Sequence, residues 1–456
     1  MTFVEAIPLL MIVALIVLLF SGFPVGGILA GIGLGFAFLG IALGEFPLAT
    51  LFIIPTRIYQ TVGENLIYPA VPMLLFMGIA LETSGAAREL LVCLQRLLAW
   101  LPGSLCIAVI LLGLILAPTA GLIGASVATI ALAALPTMLD QRYRPEIATG
   151  SVAGAGTLGV IAPPAIMLFF LADALGVPLG TMFLGPIVPV LMLAFAYMSY
   201  FVIVACFGNA RYAGAAAADD VPPGSLLLYI FRSLVLPVGL IVLVLGSIIA
   251  GWVAPTESAA VGAAGSAVLI ILYRGFSLTV IKDALIKTVD VTAMVFFVVI
   301  GASIFSFVFR FYGGDDLALD FFEGLAMSQW GILAAILTIL FILGFFIDWI
   351  EITLVSLPIL HPVIESLDFS AYVGSGPLAD VWIAVLVAVV LQTSFLTPPF
   401  GFALFFLKGA SPPGIRMMTI YRGIVPLVII QLLAVGLILL IPALATWLPD
   451  SLLEIR

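Results

Sequence analysis

Two pairs of adjacent prolines interrupt long apolar segments: Pro163–Pro164 within LGVIAPPAIMLFFL and Pro398–Pro399 within SFLTPPFGFALFFL. A proline removes a backbone donor and clashes with the preceding helical turn, so each pair predicts a helix that breaks and restarts. The break leaves carbonyl and amide groups without helical partners. Such carbonyl oxygens, with nearby hydroxyls, suit a hard cation such as sodium, and the N-terminus of the second half-helix suits a carboxylate. The chemistry predicted at both pairs is therefore ion binding.

The surroundings of these segments are predicted to be a lipid bilayer. Of the 456 residues, 64% are hydrophobic and 9% are charged, which is too apolar a composition for a water-soluble surface. Apolar runs of about 20 residues, the length of a membrane-spanning helix, recur along the chain. Alternating strand patterns and basic patches typical of nucleic-acid binding do not occur. The chain is therefore predicted to be an all-α polytopic membrane protein whose surroundings are lipid and which binds no nucleic acid.

Basic and acidic residues occupy different sets of predicted loops, and this separation indicates orientation because cytoplasmic loops are enriched in Lys and Arg. The basic set is Arg88, Arg96, Arg142, Arg144, Arg211, Arg232, Arg274, Lys282, Lys287, Lys408, Arg416 and Arg422. The acidic set is Glu45, Asp173, Asp315, Asp316, Asp320, Glu323, Glu365, Asp368, Asp380, Asp450 and Glu454. If the basic set is cytoplasmic, both chain termini lie on the outer side.

The two proline pairs belong to an internal repeat. The segment from Pro163 to Leu191 resembles the segment from Pro398 to Val428 in its Pro-Pro, Leu-Phe-Phe-Leu and Ile-Val-Pro blocks, and an apolar hairpin precedes each copy. The flanking charges reverse between the copies: arginines precede the first pair and an aspartate follows it, whereas acids precede the second pair and basic residues follow it. The copies therefore cross the membrane in opposite directions, as inverted repeats of secondary transporters do.

The chain is predicted to divide into scaffold helices, two inverted repeats and a linker. The predicted scaffold helices are N-terminal, at 1–85, and central, at 225–312, and a cytoplasmic linker is predicted at 207–224. The first inverted repeat is predicted at 86–206, with a hairpin at about 104–139 and a broken helix at about 147–175. The second is predicted at 313–446, with a hairpin at about 330–360 and a broken helix at about 379–407, and a C-terminal tail follows at 447–456. The path of residues 47–83 stays open.

Six stretches of the chain resemble the large membrane subunit of the tripartite ATP-independent periplasmic (TRAP) transporters. They are VPMLLFMGIALETSGAARELL (71–91), PTAGLIGASVATIALAALPTML (118–139), YRPEIATGSVAGAGTLGVIAPPAIM (143–167), APTESAAVGA (254–263), GFFIDWIEITLVSLPILHPVIESL (344–367) and LQTSFLTPPFGFALFFLKG (391–409). The resemblance covers most of the chain in order. It implies an elevator-type secondary transporter of the bacterial inner membrane with sodium as the coupling ion, and no cofactor is expected. In such a membrane, the outer side that the loop charges predict for both termini is the periplasm.

The same resemblance implies partners and site residues. The partners are a small four-helix membrane subunit and a periplasmic substrate-binding protein that delivers a small organic acid. The positions that match a first sodium site are Ser126 and Thr129 with carbonyls near Gly159, Ala162 and Pro164, and those that match a second are Gly344, Ser394, Thr397 and Phe400. The alternative for Ser126 and Thr129 is that small hydroxyl side chains allow close helix packing and bond back to a carbonyl.

Asp348 and Glu351 are three residues apart in the second predicted hairpin. Carboxylates inside a membrane segment are functional candidates because their burial is costly. The alternative is that both lie at the ends of helices in the interface between membrane and water.

Other classes of function fit the sequence less well. An intramembrane enzyme needs a nucleophile or a metal site, but the chain offers one histidine and three unpaired cysteines without a catalytic spacing. A passive channel has no need of two inverted units that each combine a hairpin with a broken helix. A stand-alone sodium-coupled anion symporter, working without a binding protein, is the remaining alternative. The identity of the substrate does not follow from the chain.

Overall fold

A computed structural model describes residues 5–65, 67–120, 123–207, 226–398 and 401–453. The described residues form α-helices and short turns of other helix types, with no β-strand among them. The helices are α1 Ile7–Leu19, α2 Val25–Leu43, α3 Leu48–Leu51, α4 Ile53–Ile58, α5 Ala70–Thr83, α6 Ala86–Leu97, α7 Ser104–Ala120, α8 Ile123–Asp140, α9 Pro145–Leu158, α10 Ile166–Ala174, α11 Leu179–Leu184, α12 Ile187–Phe207, α13 Leu226–Ile230, α14 Leu236–Ile249, α15 Pro255–Arg274, α16 Leu278–Phe311, α17 Gly314–Gly324, α18 Gln329–Leu343, α19 Trp349–Glu351, α20 Leu357–Glu365, α21 Ser370–Val373, α22 Gly376–Leu396, α23 Phe402–Ala410, α24 Met417–Leu440 and α25 Ala443–Leu453.

Many of these helices are long and apolar enough to cross a membrane. Within the described ranges, eight helical spans of at least 18 residues meet that condition, and two further pairs of helices meet it when each bent pair is counted as one span. The bent pairs are α5 with α6, at 65°, and α9 with α10, at 44°. The prediction of an all-α, multi-pass membrane protein is confirmed.

Several charged segments that were expected to be loops are helices, and that expectation was wrong. Arg88 and Arg96 lie on α6, the acidic cluster from Asp315 to Glu323 lies on α17, and Lys282 and Lys287 lie in the first turns of α16. The physical reason is amphipathicity: α6 buries its apolar face while Arg88 is exposed. A helix with one apolar and one charged face can lie along a membrane surface. The orientation of the chain remains a prediction.

The segment whose path the sequence left open, residues 47–83, consists of short helices and one longer helix. The helices α3 and α4 follow each other closely, a π-helical turn at Tyr59–Gly63 continues α4, and α5 begins at Ala70. The helix α5 then packs against α15 and α16, which are scaffold helices in the predicted division of the chain. The helix α16 in turn packs along α2. These helices therefore form one group.

The first half of each broken helix lies at the centre of the protein. Every residue from Ala148 to Ala162 is buried, and so is every residue from Val381 to Leu396. A helix that is apolar on all sides is stable in a core position because no face needs solvent. These two stretches, on α9 and α22, therefore form the core around which the hairpins pack.

The second half of each broken helix packs against the hairpin of the other repeat. The helix α23 lies on α8 of the first hairpin, where a Cβ added to Gly124 would come within 2.6 Å of the Phe406 ring. The helix α10 lies on the second arm of the second hairpin, where the ring centroids of Phe170 and Trp349 are 5.9 Å apart. This crosswise exchange relates the two repeats in space as well as in sequence.

Close backbone contact between α9 and α24 depends on two glycines. A Cβ added to Gly150 would lie 2.5 Å from the carbonyl oxygen of Gly423, and a Cβ added to Gly423 would lie 2.1 Å from the carbonyl oxygen of Glu146. Small residues let membrane helices approach closely and gain van der Waals contact. Neither position has room for a methyl group unless one of the helix backbones shifts.

We predict that Gly423→Ala lowers the thermal stability of the protein, because overpacking a helix contact costs about 1–3 kcal/mol. The matched control is Gly436→Ala on the same helix, where an added Cβ meets nothing within 4 Å. Alanine is the better helix former by about 1 kcal/mol, so the control is expected to melt at or above the temperature of the parent protein. Unfolding in detergent, followed by intrinsic fluorescence, measures both; equal melting temperatures for the two variants would contradict the prediction.

Candidate functional site

The first proline break separates α9 from α10. A 3₁₀ turn at Gly159–Ile161 follows α9, Ala162 is extended, and α10 restarts at Ile166. Because residues 163 and 164 are prolines, the carbonyls of Gly159 and Val160 lose the amide partners that an unbroken helix would supply. The Gly159 carbonyl instead accepts a hydrogen bond from the Ala162 amide at 3.2 Å. The break therefore interrupts the helical hydrogen bonds inside the buried core.

Ser126 and Thr129 lie on α8 and line a small void of about 20 Å³. That volume is enough for one water-sized particle. The Thr129 hydroxyl donates a hydrogen bond of 2.5 Å to Oε1 of Glu82 on α5. Its hydrogen is therefore directed at a carboxylate on another helix rather than back at its own helix, while its oxygen lone pairs stay available to a cation.

Only part of the predicted first sodium set meets at this void. Gly159 does not line the void but packs against its wall, since a Cβ added to Gly159 would lie 2.1 Å from the Cβ of Ala117, a lining residue of the void. Ala162 and Pro164 are buried but do not line it. The structure thus brings Ser126, Thr129 and the Gly159 turn close together and leaves the proline pair farther along the break.

Glu82 is a candidate site residue that the sequence interpretation missed. It lies near the end of α5, it is half-buried, and it lines the same void as Ser126 and Thr129. Carboxylate oxygens are strong ligands for hard cations. The signal was present in the sequence, because Glu82 is a carboxylate at the end of an otherwise apolar run, and an intramembrane carboxylate is a functional candidate by default.

The second proline break follows α22. Pro399 and Phe400 lie outside the described residues, while Pro398 is half-buried and α23 begins at Phe402. The Ser394 hydroxyl donates to the Leu391 carbonyl at 2.6 Å. The Thr397 hydroxyl donates to the Thr393 carbonyl at 2.8 Å. Because each hydroxyl donates its hydrogen to a backbone carbonyl, the lone pairs of its oxygen remain available to a cation.

Gly344 meets this break from the second hairpin. It ends α18, and a Cβ added to it would lie 1.8 Å from Oγ of Ser394. A glycine is thus required for the hairpin to approach α22. Nearby on α22, the side-chain amide of Gln392 is fully buried, and neither its nitrogen nor its oxygen has a hydrogen-bond partner among the described residues. A buried amide without a partner is costly, so Gln392 is a second polar candidate that the sequence interpretation missed.

Asp348 and Glu351 have different surroundings in the second hairpin. Oδ1 of Asp348 accepts a hydrogen bond of 2.8 Å from the amide of Trp349, so Asp348 caps the helix that starts there. Glu351 lines an apolar cavity of about 220 Å³ between α1 and the hairpin, and its Oε2 has no partner in the described part of the chain. Asp348 therefore lies at a helix end, and its position in the interface between membrane and water stays a prediction; Glu351 remains a functional candidate.

The fold as a whole is similar to that of a solved transporter. The YdaH transporter of Alcanivorax borkumensis, whose crystal structure was described as having an unusual topology, aligns with a TM-score of 0.59 over 89% of this chain and 90% of that one. The sequence identity is 16%, so the likeness concerns the fold alone.

The sequence itself shows the family. Residues 12–444 match the family described as "Tripartite ATP-independent periplasmic transporter, DctM component". The C4-dicarboxylate TRAP transporter large permease protein DctM of Pseudomonas aeruginosa is 28% identical over 399 residues, which are 87% of this chain and 89% of the relative. The sialic acid TRAP transporter large permease protein SiaM of Vibrio cholerae is 26% identical over 441 residues, 96% of this chain and 97% of the relative. The chain therefore belongs to the large permease subunits of the TRAP transporters, and it is a transport protein rather than an enzyme.

Proposed function

We propose that this chain is the permease subunit of a sodium-coupled importer of a small organic acid that a periplasmic substrate-binding protein delivers. The observation that carries the proposal is the pair of proline-broken helices in the buried core, each with small hydroxyl side chains beside its break. Broken helices of this kind hold substrate and coupling ions near the middle of the membrane in secondary transporters. A small four-helix membrane subunit completes the complex.

Two sodium sites are proposed, one at each break. At the first, Ser126 and Thr129 with the turn at Gly159 supply oxygens, and we add Glu82 because it shares their void. At the second, Gly344, Ser394, Thr397 and Phe400 are the proposed set. The hydrogen bonds that fix Ser394 and Thr397 support the second site, because rigid hydroxyls lose little entropy when they bind an ion.

The substrate class is supported by what the relatives are named for. One is named for C4-dicarboxylates and the other for sialic acid, and both of these compounds carry a carboxylate group. A half-helix N-terminus, such as that of α10 or α23, favours a carboxylate through the amide groups of its first turn. We therefore propose a small carboxylate as the cargo of this chain.

We propose an elevator motion, in which the two hairpins and the two broken helices move together as one body against the scaffold helices. The helices of the two hairpins and the two broken helices pack on one another, with α10 and α23 exchanged between the repeats. The scaffold helices α2, α5, α15 and α16 pack together as a second group. Two internally packed groups support movement of one body against the other, because packed cores shift as units rather than deform.

We predict that uptake of the cognate acid into proteoliposomes requires both an inward sodium gradient and the binding protein. The large and small subunits are reconstituted together, and radiolabelled acid is supplied with or without the binding protein, in sodium or in choline buffer. Uptake that is equally fast without the binding protein would support the stand-alone symporter instead. Uptake that is equally fast in choline would overturn sodium coupling.

We predict that Thr397→Val raises the sodium concentration for half-maximal uptake about tenfold, equivalent to about 1.4 kcal/mol, because one proposed oxygen ligand is lost. The matched control is Thr338→Val on α18, an exposed threonine whose hydroxyl donates to the carbonyl four residues earlier at 2.7 Å, as Thr397 does at 2.8 Å. Sodium titration of uptake distinguishes them. An unchanged titration for Thr397→Val would remove this residue from the site.

We predict that Thr129→Val destabilises the protein in sodium-free buffer by about 1.5 kcal/mol, the lower range for a hydrogen bond to a charged group, because Glu82 loses its donor. Thr129→Ser keeps the hydroxyl and is expected to melt like the parent protein. Sodium should raise the melting temperature of the parent and of Thr129→Ser, since a bound ion stabilises the folded state. An equal sodium-induced rise for Thr129→Val would exclude Thr129 as a ligand.

A further inference from the structure

A cavity of about 680 Å³ lies away from both proline breaks, between α16 and the second hairpin. Its walls come from α4 and the π-helical turn that follows it, the C-terminal half of α16, the end of α10, and the chain from the π-helical turn at Ile352–Ser356 into α20. The volume falls in the range of about 300–1,000 Å³ that is usual for small-molecule sites. The cavity therefore has room for a small organic acid and touches both the scaffold and the second repeat.

Two arginines of the described residues line this cavity, and within that part of the chain one of them has a carboxylate partner. Nε of Arg310 lies 3.3 Å from Oδ2 of Asp315. The Arg57 guanidinium lies over the Phe307 ring at 5.6 Å, and no carboxylate of the described residues forms an ion pair with it. An aromatic face holds a guanidinium in place without neutralising its charge. Arg57 is therefore an exposed cation that is positioned by an aromatic ring and forms no ion pair among the described residues.

Among the described residues, one carboxylate, that of Asp173, lines the cavity, and it accepts hydrogen bonds from neighbouring side chains. Oδ2 of Asp173 accepts a hydrogen bond of 2.9 Å from the Tyr68 hydroxyl, and Oδ1 accepts one of 3.1 Å from the Asn65 amide. Both of its oxygens are thus occupied by donors of one neighbouring segment. Both donors are neutral groups, so these hydrogen bonds fix the position of the Asp173 carboxylate without cancelling its charge, and Asp173 forms no ion pair with Arg57.

A second observation points to a ligand. Thr353 lines the cavity, its side chain is fully buried, and its hydroxyl has no hydrogen-bond partner among the described residues. A buried hydroxyl without a partner costs free energy unless something else in the cavity binds it. Three other polar side chains of the lining have partners: Thr61 and Ser303 share a hydrogen bond of 3.3 Å, and Nδ1 of His361 lies 3.7 Å from Oε1 of Glu365.

We propose that this cavity binds the transported organic acid through one carboxylate, which pairs with the Arg57 guanidinium and accepts a hydrogen bond from Thr353. The proposal rests on the proposed function, because the acid is the cargo named there. Arginine presents two parallel donors that match a carboxylate, and its charge is retained at every physiological pH. Asp315 already pairs with Arg310, so Arg57 is the arginine of the described lining that is left to bind a carboxylate.

Titration calorimetry of the purified complex of large and small subunits tests this assignment, with pyruvate, succinate and N-acetylneuraminate as probes at constant ionic strength. We expect at least one probe to bind the parent protein. Its affinity should fall at least tenfold in Arg57→Met and less in Arg57→Lys, which keeps the charge but lacks the paired donors. Thr353→Val should weaken binding a few-fold, whereas Thr353→Ser should retain it. The matched control is Arg416→Met, an exposed arginine outside the cavity, which should bind as the parent does.

Several results would overturn the assignment. The first is that the parent protein binds none of the three acids at millimolar concentration. The second is that Arg57→Met binds the acid with the affinity of the parent. The third is that Arg57→Met loses affinity for the binding protein while its affinity for the acid is unchanged. The last result would place Arg57 on a protein-docking surface. Parallel uptake assays separate this proposal from the proposed function. If Arg57→Met binds the acid as the parent does and its uptake still depends on sodium, only the assignment of the cavity as the acid site is wrong. If uptake by the parent does not depend on sodium, only the proposed sodium coupling is wrong.

Discussion

The structure depends on one constraint: a backbone group that leaves a helix inside a membrane must find its partner within the protein. The two proline pairs release such groups in the middle of buried helices. The chain meets this cost by placing α9 and α22 at the centre, where every residue from Ala148 to Ala162 and from Val381 to Leu396 is buried, and by surrounding them with two hairpins. Polar groups of side chains then gather where backbone groups are released, as Ser394 and Thr397 do at the end of α22.

The crosswise packing of α10 and α23 follows from the same constraint. A half-helix that begins after a break cannot continue along its own first half, so it needs a new apolar surface. In each repeat the hairpin of the other repeat supplies that surface, through contacts such as Gly124 with Phe406 and Phe170 with Trp349. The two repeats are therefore interlocked, and neither hairpin has a complete packing surface without the other repeat.

The sequence predicted the features that short segments determine by themselves. The spanning helices follow from runs of apolar residues, and the break around Pro163 follows from proline chemistry, which is local. Features that depend on packing between distant segments were missed. Glu82 meets Thr129 only because α5 crosses α8, 47 residues away in sequence. The charged stretches of α6 and α17 were expected to be loops because their average hydropathy is low. The average combines an apolar face and a charged face, and the two faces become visible only when the residues are arranged with the period of a helix. Arg57 lies in the segment whose path the sequence left open, and only the fold places it in a cavity.

The hydrogen bond between Thr129 and Glu82 joins a helix of the first hairpin to a scaffold helix. If the hairpin moves relative to the scaffold, this bond has to break in every cycle. A sodium ion bound by the proposed ligands would take oxygens from both helices, because Glu82 lies on the scaffold and Ser126 and Thr129 lie on the hairpin. The occupied site would then hold the hairpin to the scaffold through the same carboxylate that the empty site uses, so the contact at Glu82 has to be released whether or not the ion is bound.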